Sequence, residues 1–314
     1  MTTPLDISSL LDPEIIQALA GLNLRFDTLS METLPRIRKG MAALPPVPVS
    51  NSVKRADHDV PARPGVSVRV HRHKSASGKL PCIFWMHGGG LVVGTNAGDD
   101  PRFDRWCPEL NCVGVSVEYG LAPESTYPGP LEDCYAGLLW IYNNAELLGI
   151  DTAKIGIGGS SAGAGLAAGL ALLARDRAVV PLAFELLIYP MIDDRQITTS
   201  SQWQDPVWPP NANRFGWDCY LGDLRGDNVP YYAAAARAPS LVDLPATFIC
   251  VGALDGFSDE DIEYATRLRH AGVPCELHVY PGAPHGFDAL TPNTATARRA
   301  NRDMAQWLAA QFAR

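Results

Sequence analysis

The stretch Lys154-Ile155-Gly156-Ile157-Gly158-Gly159-Ser160-Ser161-Ala162-Gly163 runs directly into Ala164-Gly165-Leu166-Ala167-Ala168. Residues 154–157 read as a strand and residues from about 162 to 174 as an alanine-rich helix. Between them lies G-x-S-x-G with Ser161 at its centre. Strand, tight turn and helix form the context that a nucleophile elbow requires. The turn forces the serine into a strained, exposed position, and small flanking residues keep strand and helix from clashing. In a chain with 28 glycines the five-residue pattern alone is a weak signal, so its surroundings must decide.

Outward from this turn, short apolar strands alternate with helices. Strands are expected at 66–70, 81–86, 113–117, 184–189, 247–251 and 276–280, with a helix at 131–143. Such alternation predicts an α/β fold with a mainly parallel sheet covered by helices on both faces. The strand ending at Met86 is followed by His87-Gly88-Gly89-Gly90. Glycines let backbone N–H groups converge on one point, as acyl transfer needs when a tetrahedral intermediate places charge on the former carbonyl oxygen.

A serine hydroxyl needs a base, and the base needs an orienting acid. Seven histidines compete: His58, His71, His73, His87, His270, His278 and His285. His278 falls within a strand and His270 within a helix. His285 follows the last strand, at the carboxyl end where α/β sites assemble. Asp255 occupies the same position after the preceding strand. Its rivals Asp259, Glu260 and Asp261 fall in the first turn of a helix, where the helix dipole accounts for carboxylates. The order Ser161, Asp255, His285 is that of the α/β-hydrolases.

The chain resembles the hormone-sensitive-lipase-like carboxylesterases, bacterial family IV of the α/β-hydrolases. The resemblance rests on His87 to Gly90, Tyr119-Gly120-Leu121-Ala122-Pro123-Glu124, Gly159 to Gly163, Leu187-Ile188-Tyr189-Pro190, Asp255 and His285-Gly286-Phe287. It implies an eight-stranded sheet and oxyanion donors at the N–H groups of Gly89, Gly90 and Ala162. It also implies a helical cap built from residues 1–45 and an insertion at 193–242. The core then comprises residues 46–192 and 243–314. The insertion is aromatic-rich and aperiodic, with Trp203, Trp208, Trp217 and Tyr220, as a functional excursion from a sheet would be. Two departures stand out. Ser160 precedes the nucleophile where the family usually has Asp or Thr, and the acid loop reads Asp255-Gly256-Phe257-Ser258-Asp259 rather than Asp-Pro-Leu-x-Asp.

Composition narrows the remaining classes. The chain has 314 residues, with 46% hydrophobic and 19% charged, so it can bury roughly three-quarters of its unfolded surface. A net charge of −8 argues against nucleic acid and anionic membrane as partners. Seven cysteines without a C-x-x-C pair suggest neither a disulfide framework nor a zinc site. The start of the chain lacks a signal-peptide pattern, and a cytoplasmic protein is expected. The basic run Arg69-Val70-His71-Arg72-His73-Lys74 reads as an exposed strand face. His71 and His73 could share that face toward a metal, but no third ligand is suggested nearby.

The expected function is hydrolysis of short- to medium-chain carboxylic esters by a Ser161-His285-Asp255 triad through an acyl-enzyme. No metal or organic cofactor is required. Leu91 and Tyr189 flank the motifs as candidate substrate contacts. Amidase or lactonase chemistry would use the same site. A non-catalytic binding role also occurs in the family, in a plant hormone receptor that has lost the catalytic histidine, whereas His285 is present here. The resemblance further implies a homodimer paired through the edge strand near Glu276-Leu277-His278-Val279-Tyr280, since exposed edges template pairing.

Overall fold

Eight strands form one sheet, and the computed structural model describes residues 5–22, 26–45 and 48–314. The strands are β1 (Val53–Asp59), β2 (Ser67–His73), β3 (Leu80–Met86), β4 (Val113–Glu118), β5 (Ile150–Ser160), β6 (Phe184–Ile188), β7 (Ala246–Gly252) and β8 (Cys275–Tyr280). Their order is β1-β2-β4-β3-β5-β6-β7-β8. β2 runs antiparallel to β1 and β4, and every other pairing is parallel. The helices are α1 (Pro13–Leu19), α2 (Leu34–Ala42), α3 (Asp100–Leu110), α4 (Gly129–Asn143), α5 (Ala145–Leu148), α6 (Ala162–Arg177), α7 (Pro210–Leu221), α8 (Ser258–His270), α9 (Phe287–Leu290) and α10 (Ala295–Phe312). Among the described residues, no helix is long and apolar enough to cross a membrane.

The central strands are apolar on both faces because helices cover both. Cys82, Ile83, Phe84, Trp85 and Met86 of β3 are all fully buried. The core divides accordingly. One cluster joins α4 and α6 to the sheet through residues such as Leu138, Leu170 and Ile157. The other joins α1, α3 and α10 through Ile15, Trp106 and Leu308. β1 escaped the sequence reading for a physical reason. Of its seven residues, Val53 alone is buried, so an edge strand of charged side chains shows no apolar alternation.

α1 begins as its sequence suggests: Asp12 caps the helix, accepting the Glu14 N–H at 2.9 Å, with Pro13 following. Only half of its apolar repeat faces inward. Ile15 and Leu19 are buried, while Ile16 and Leu22 are 37% and 40% exposed. Residues 1–4 and 23–25 of the expected cap segment at 1–45 lie outside the described residues.

The reading of residues 69–74 as an exposed face is corrected at His71. His71 is fully buried. It hydrogen-bonds Asp100 at 2.7 Å and stacks on Phe103 at 4.5 Å between ring centroids. α3 lies over that face of β2, so the position is polar because it is paired, not because it is wet.

Glu185 on β6 is also fully buried. Burial pushes its carboxyl up to about 8, and a hydrogen bond from the Thr247 hydroxyl at 3.3 Å opposes this weakly. The folded state therefore keeps the proton while an unfolded carboxyl near 4.5 loses it. That contribution to stability is complete at acid pH and disappears as pH rises toward about 8. Glu185→Gln should remove this dependence. Thermal melts should show a variant-minus-wild-type difference that grows from about pH 5 to about pH 8 and then levels. A difference that stays constant with pH would contradict the assignment.

Candidate active site

β5 delivers Ser161 to the start of α6 with φ 56° and ψ −122°. A non-glycine residue in this region carries strain of about 1–3 kcal/mol, so the surroundings must impose it. They do so from both sides. The Ser161 N–H donates to the Ile188 carbonyl at 2.8 Å, and its own carbonyl accepts from Gly165 and Met191 at 3.0 and 3.1 Å. The motif glycines make that closeness possible. A Cβ on Gly163 would lie 2.1 Å from the Met86 carbonyl oxygen, and one on Gly159 would lie 2.4 Å from the Gly163 carbonyl.

His285 follows β8 and Asp255 follows β7. The Ser161 hydroxyl lies 2.8 Å from His285 Nε2, and His285 Nδ1 lies 2.8 Å from Asp255 Oδ2. A carboxylate only accepts, so Nδ1 carries the proton and Nε2 is left to accept from the serine. Asp255 Oδ1 accepts from the Phe257 N–H at 2.9 Å, which fixes the carboxylate plane. The three side chains are nearly sequestered, with Ser161, His285 and Asp255 at 6%, 5% and 1% exposure. Burial opposes a charged His285 ring. The Asp255 charge and hydrogen bond, with Asp205 and Asp288 nearby, outweigh it and hold the imidazole above the ordinary histidine value. Of the seven histidines, all described, His285 is the one within reach of Ser161.

The glycine loop after β3 packs against this turn. A Cβ on Gly88 would lie 3.5 Å from the Ser161 Cβ. Gly89 and Gly90 have φ 124° and 60°, and the Gly89 carbonyl accepts from Val92 and Val93. The N–H groups of Gly89, Gly90 and Ala162 meet no acceptor among the described residues. His87 shapes the loop. Its Nδ1 bonds the Gly88 carbonyl at 2.8 Å, and its ring stacks on Tyr119 at 4.2 Å. The Tyr119 hydroxyl donates to the His87 carbonyl at 2.7 Å. Burial holds His87 down to about 4, so the ring is neutral.

Residues 193–242 reach over this loop. A Cβ on Gly90 would lie 2.2 Å from the Trp208 indole, and one on Gly216 of α7 would lie 2.6 Å from the Gly90 carbonyl. Phe26 from the N-terminal segment meets Trp208 edge-on at 5.5 Å, and the Asn211 amide donates to the Asp27 carbonyl at 2.7 Å. The candidate contacts Leu91 and Tyr189 are both 2% exposed. Leu91 lies in the core, and its carbonyl accepts from Ala122. The Tyr189 ring meets His285 edge-on at 4.6 Å, and its hydroxyl donates to Asp288 at 2.5 Å.

Three features were not legible beforehand. Asp288 is held between Tyr189 and Arg102, the latter at 3.2 Å, and Arg102 lies over Trp85 and Trp106 at 5.0 Å. Asp205 accepts the His285 N–H at 2.8 Å. Neither carboxylate belongs to a motif, and Asp205 sits in the aperiodic stretch. The third concerns Glu260 and Asp261, which are buried in α8 with carboxyls pushed well above the usual range by that burial. Buried as they are, at 3% and 0% exposure, they are not accounted for by the helix dipole by itself. Glu260 instead accepts from the Ile192 and Asp193 N–H groups at 3.3 Å.

A family model described as alpha/beta hydrolase fold matches residues 83–289. The chain belongs to this α/β-hydrolase family. This α/β-hydrolase is similar to Esterase LipI of Mycobacterium tuberculosis (strain ATCC 25618 / H37Rv), at 31% identity over 284 residues, 88% of each chain. It is also similar to Carboxylesterase NlhH of the same species (strain CDC 1551 / Oshkosh), at 33% identity over 233 residues, 71% of each chain. The solved structure of a bacterial heroin esterase superposes with a TM-score of 0.89 at 38% identity, covering 97% of this chain and 98% of that one. These matches agree with the resemblance to hormone-sensitive-lipase-like carboxylesterases.

Because the missing Cβ of Gly163 faces backbone that cannot swing away, Gly163→Ala should destabilise the α/β-hydrolase by at least about 1–3 kcal/mol. Urea unfolding of the two proteins measures this. Equal midpoints would mean that the elbow is not packed as described.

Proposed function

We propose that this carboxylic ester hydrolase works as a serine esterase, with Ser161 as nucleophile, His285 as general base and Asp255 as its orienting acid. The reading is carried by the unbroken chain from Ser161 to His285 to Asp255, with both hydrogen bonds at 2.8 Å. His285 takes the serine proton as the oxygen attacks the ester carbonyl. Asp255 holds the imidazolium without taking its proton. The free N–H groups of Gly89, Gly90 and Ala162 receive the oxyanion. His285 returns the proton to the leaving alcohol. Water then attacks the acyl-enzyme, with His285 again as base. The chemistry calls for no metal or organic cofactor.

Residues 193–242 act with the N-terminal helices as a cap, and the core comprises residues 46–192 and 243–314. The contact of Trp208 with Gly90 supports this, as does the contact of Phe26 with Trp208. The Trp208 indole beside the glycine loop offers an apolar wall, which supports short- to medium-chain esters as substrates. Seven free cysteines, six of them buried, support a reducing compartment such as the cytoplasm.

Hydrolysis of p-nitrophenyl acetate, butyrate, octanoate and palmitate by wild type and Ser161→Ala tests the reading. The wild type should favour the shorter esters, and the variant should lose about three orders of magnitude or more. Activity should fall on the acid side through the histidine range, at or above about pH 6.5, because a protonated His285 cannot accept the serine proton. Two equally inert, folded proteins would leave a binding site or a narrower substrate. A profile flat to about pH 4 would exclude His285 as base.

β8 ends the sheet, and its outer side lacks a strand partner among the described residues. This supports a homodimer paired along Glu276 to Tyr280. Light scattering should give twice the 33.9 kDa chain mass. A single species at the chain mass would remove the dimer.

A further inference from the structure

Asp205 lies in the insertion between β6 and β7, far in sequence from every motif, yet it is 3% exposed beside the site. One oxygen accepts the His285 N–H at 2.8 Å. The other accepts the Val207 and Trp208 N–H groups at 2.7 and 2.9 Å. Three backbone donors on one carboxylate demand acceptors only, the arrangement of an ionised group. The Trp208 indole, so fixed, lies against Gly90. The ring also meets Phe26, and its N–H makes a long contact of 3.5 Å to Asn213. A single buried side chain thus holds the backbone of the histidine and the ring that walls the glycine loop.

We propose that Asp205 is a positioning residue that fixes His285, raises its basicity and couples it to the Trp208 wall. This rests on the reading of Ser161, His285 and Asp255 as the triad. Three carboxylates face the imidazole from three elements: Asp255 from the loop after β7, Asp205 from the insertion and Asp288 from α9. Arg102 balances Asp288 at 3.2 Å. Behind Asp255 stand Glu260 and Asp261, whose carboxyls burial pushes well above the usual range. Burial and the Asp255 charge raise the Asp205 carboxyl to about 6 against the pull of His285 and the backbone donors, so it is ionised above that pH. When His285 takes the serine proton, the Asp205 charge stabilises the imidazolium. Trp208 and His285 are tied to the same group, so a displaced wall displaces the base.

Asp205→Asn removes the charge and turns one acceptor into a donor facing an N–H. The test is kcat and KM for p-nitrophenyl butyrate against pH, for wild type, Asp205→Asn, Asp205→Glu and Ser161→Ala. Asp205→Asn should lose about tenfold or more in kcat, and its acidic limb should move to lower pH by about half a unit or more. The limb's midpoint does not depend on how much of the preparation is folded. Asp205→Glu keeps the charge with displaced oxygens, so its limb should stay near that of wild type while kcat falls. A residue that merely held the loop would lower stability and leave the limb in place. An Asp205→Asn limb coincident with wild type overturns the proposal, as does an Asp205→Glu enzyme with wild-type kcat. If Ser161→Ala is inactive in those cases, the triad reading survives alone. Full activity in Ser161→Ala overturns both.

Discussion

The turn that holds Ser161 at φ 56° is the constraint on which the site depends. It lasts only because β5, β3 and β6 close on it with almost no space left. The missing side chains of Gly159 and Gly163 let backbone approach backbone, and the Ile188 carbonyl holds the serine N–H. The same closeness presses the glycine loop after β3 against the serine. Nucleophile and candidate oxyanion donors are therefore products of one packing event, with the strain offset by the buried sheet around them.

Parallel strands supply the rest of the geometry. β3, β5, β7 and β8 all end at one edge of the sheet, so residues that follow them meet there despite wide separation in sequence. The electrostatics follow from burial. His87 is driven neutral by lack of water and serves as a shaped plug under the loop. The same lack of water pushes the Glu260 and Asp261 carboxyls well above the usual range. His285 moves the other way, because carboxylates close enough to outweigh its burial surround it. The buried groups of the candidate site thus differ in their charge preference according to what surrounds them.

The legible parts were those in which chemistry needs contiguous residues. G-x-S-x-G and H-G-G-G are local because turns are local, and the strands next to them are apolar because helices cover both faces. Asp255 and His285 could be found by their place after strands. The aromatic insertion was recognisable as an excursion, though nothing in it marked Asp205 or Trp208. β1 was missed because an exposed edge of Lys54, Arg55, Asp57 and Asp59 carries no apolar period. His71 was misread because alternation describes the strand and not what covers it. α3 supplies Asp100 and Phe103 to that face from about thirty residues away.

By itself, then, the sequence determined the α/β fold class, the turn at Ser161 and the glycine loop, and it offered Asp255 and His285 as candidates after successive strands. Each of these is written in backbone sterics and short-range periodicity. Tertiary structure alone decided which carboxylates are buried, that Trp208 lies against Gly90, and that Asp205 bonds the backbone of both Trp208 and His285. Those properties depend on desolvation and on contacts between distant segments, and neither is encoded in the spacing of neighbouring residues.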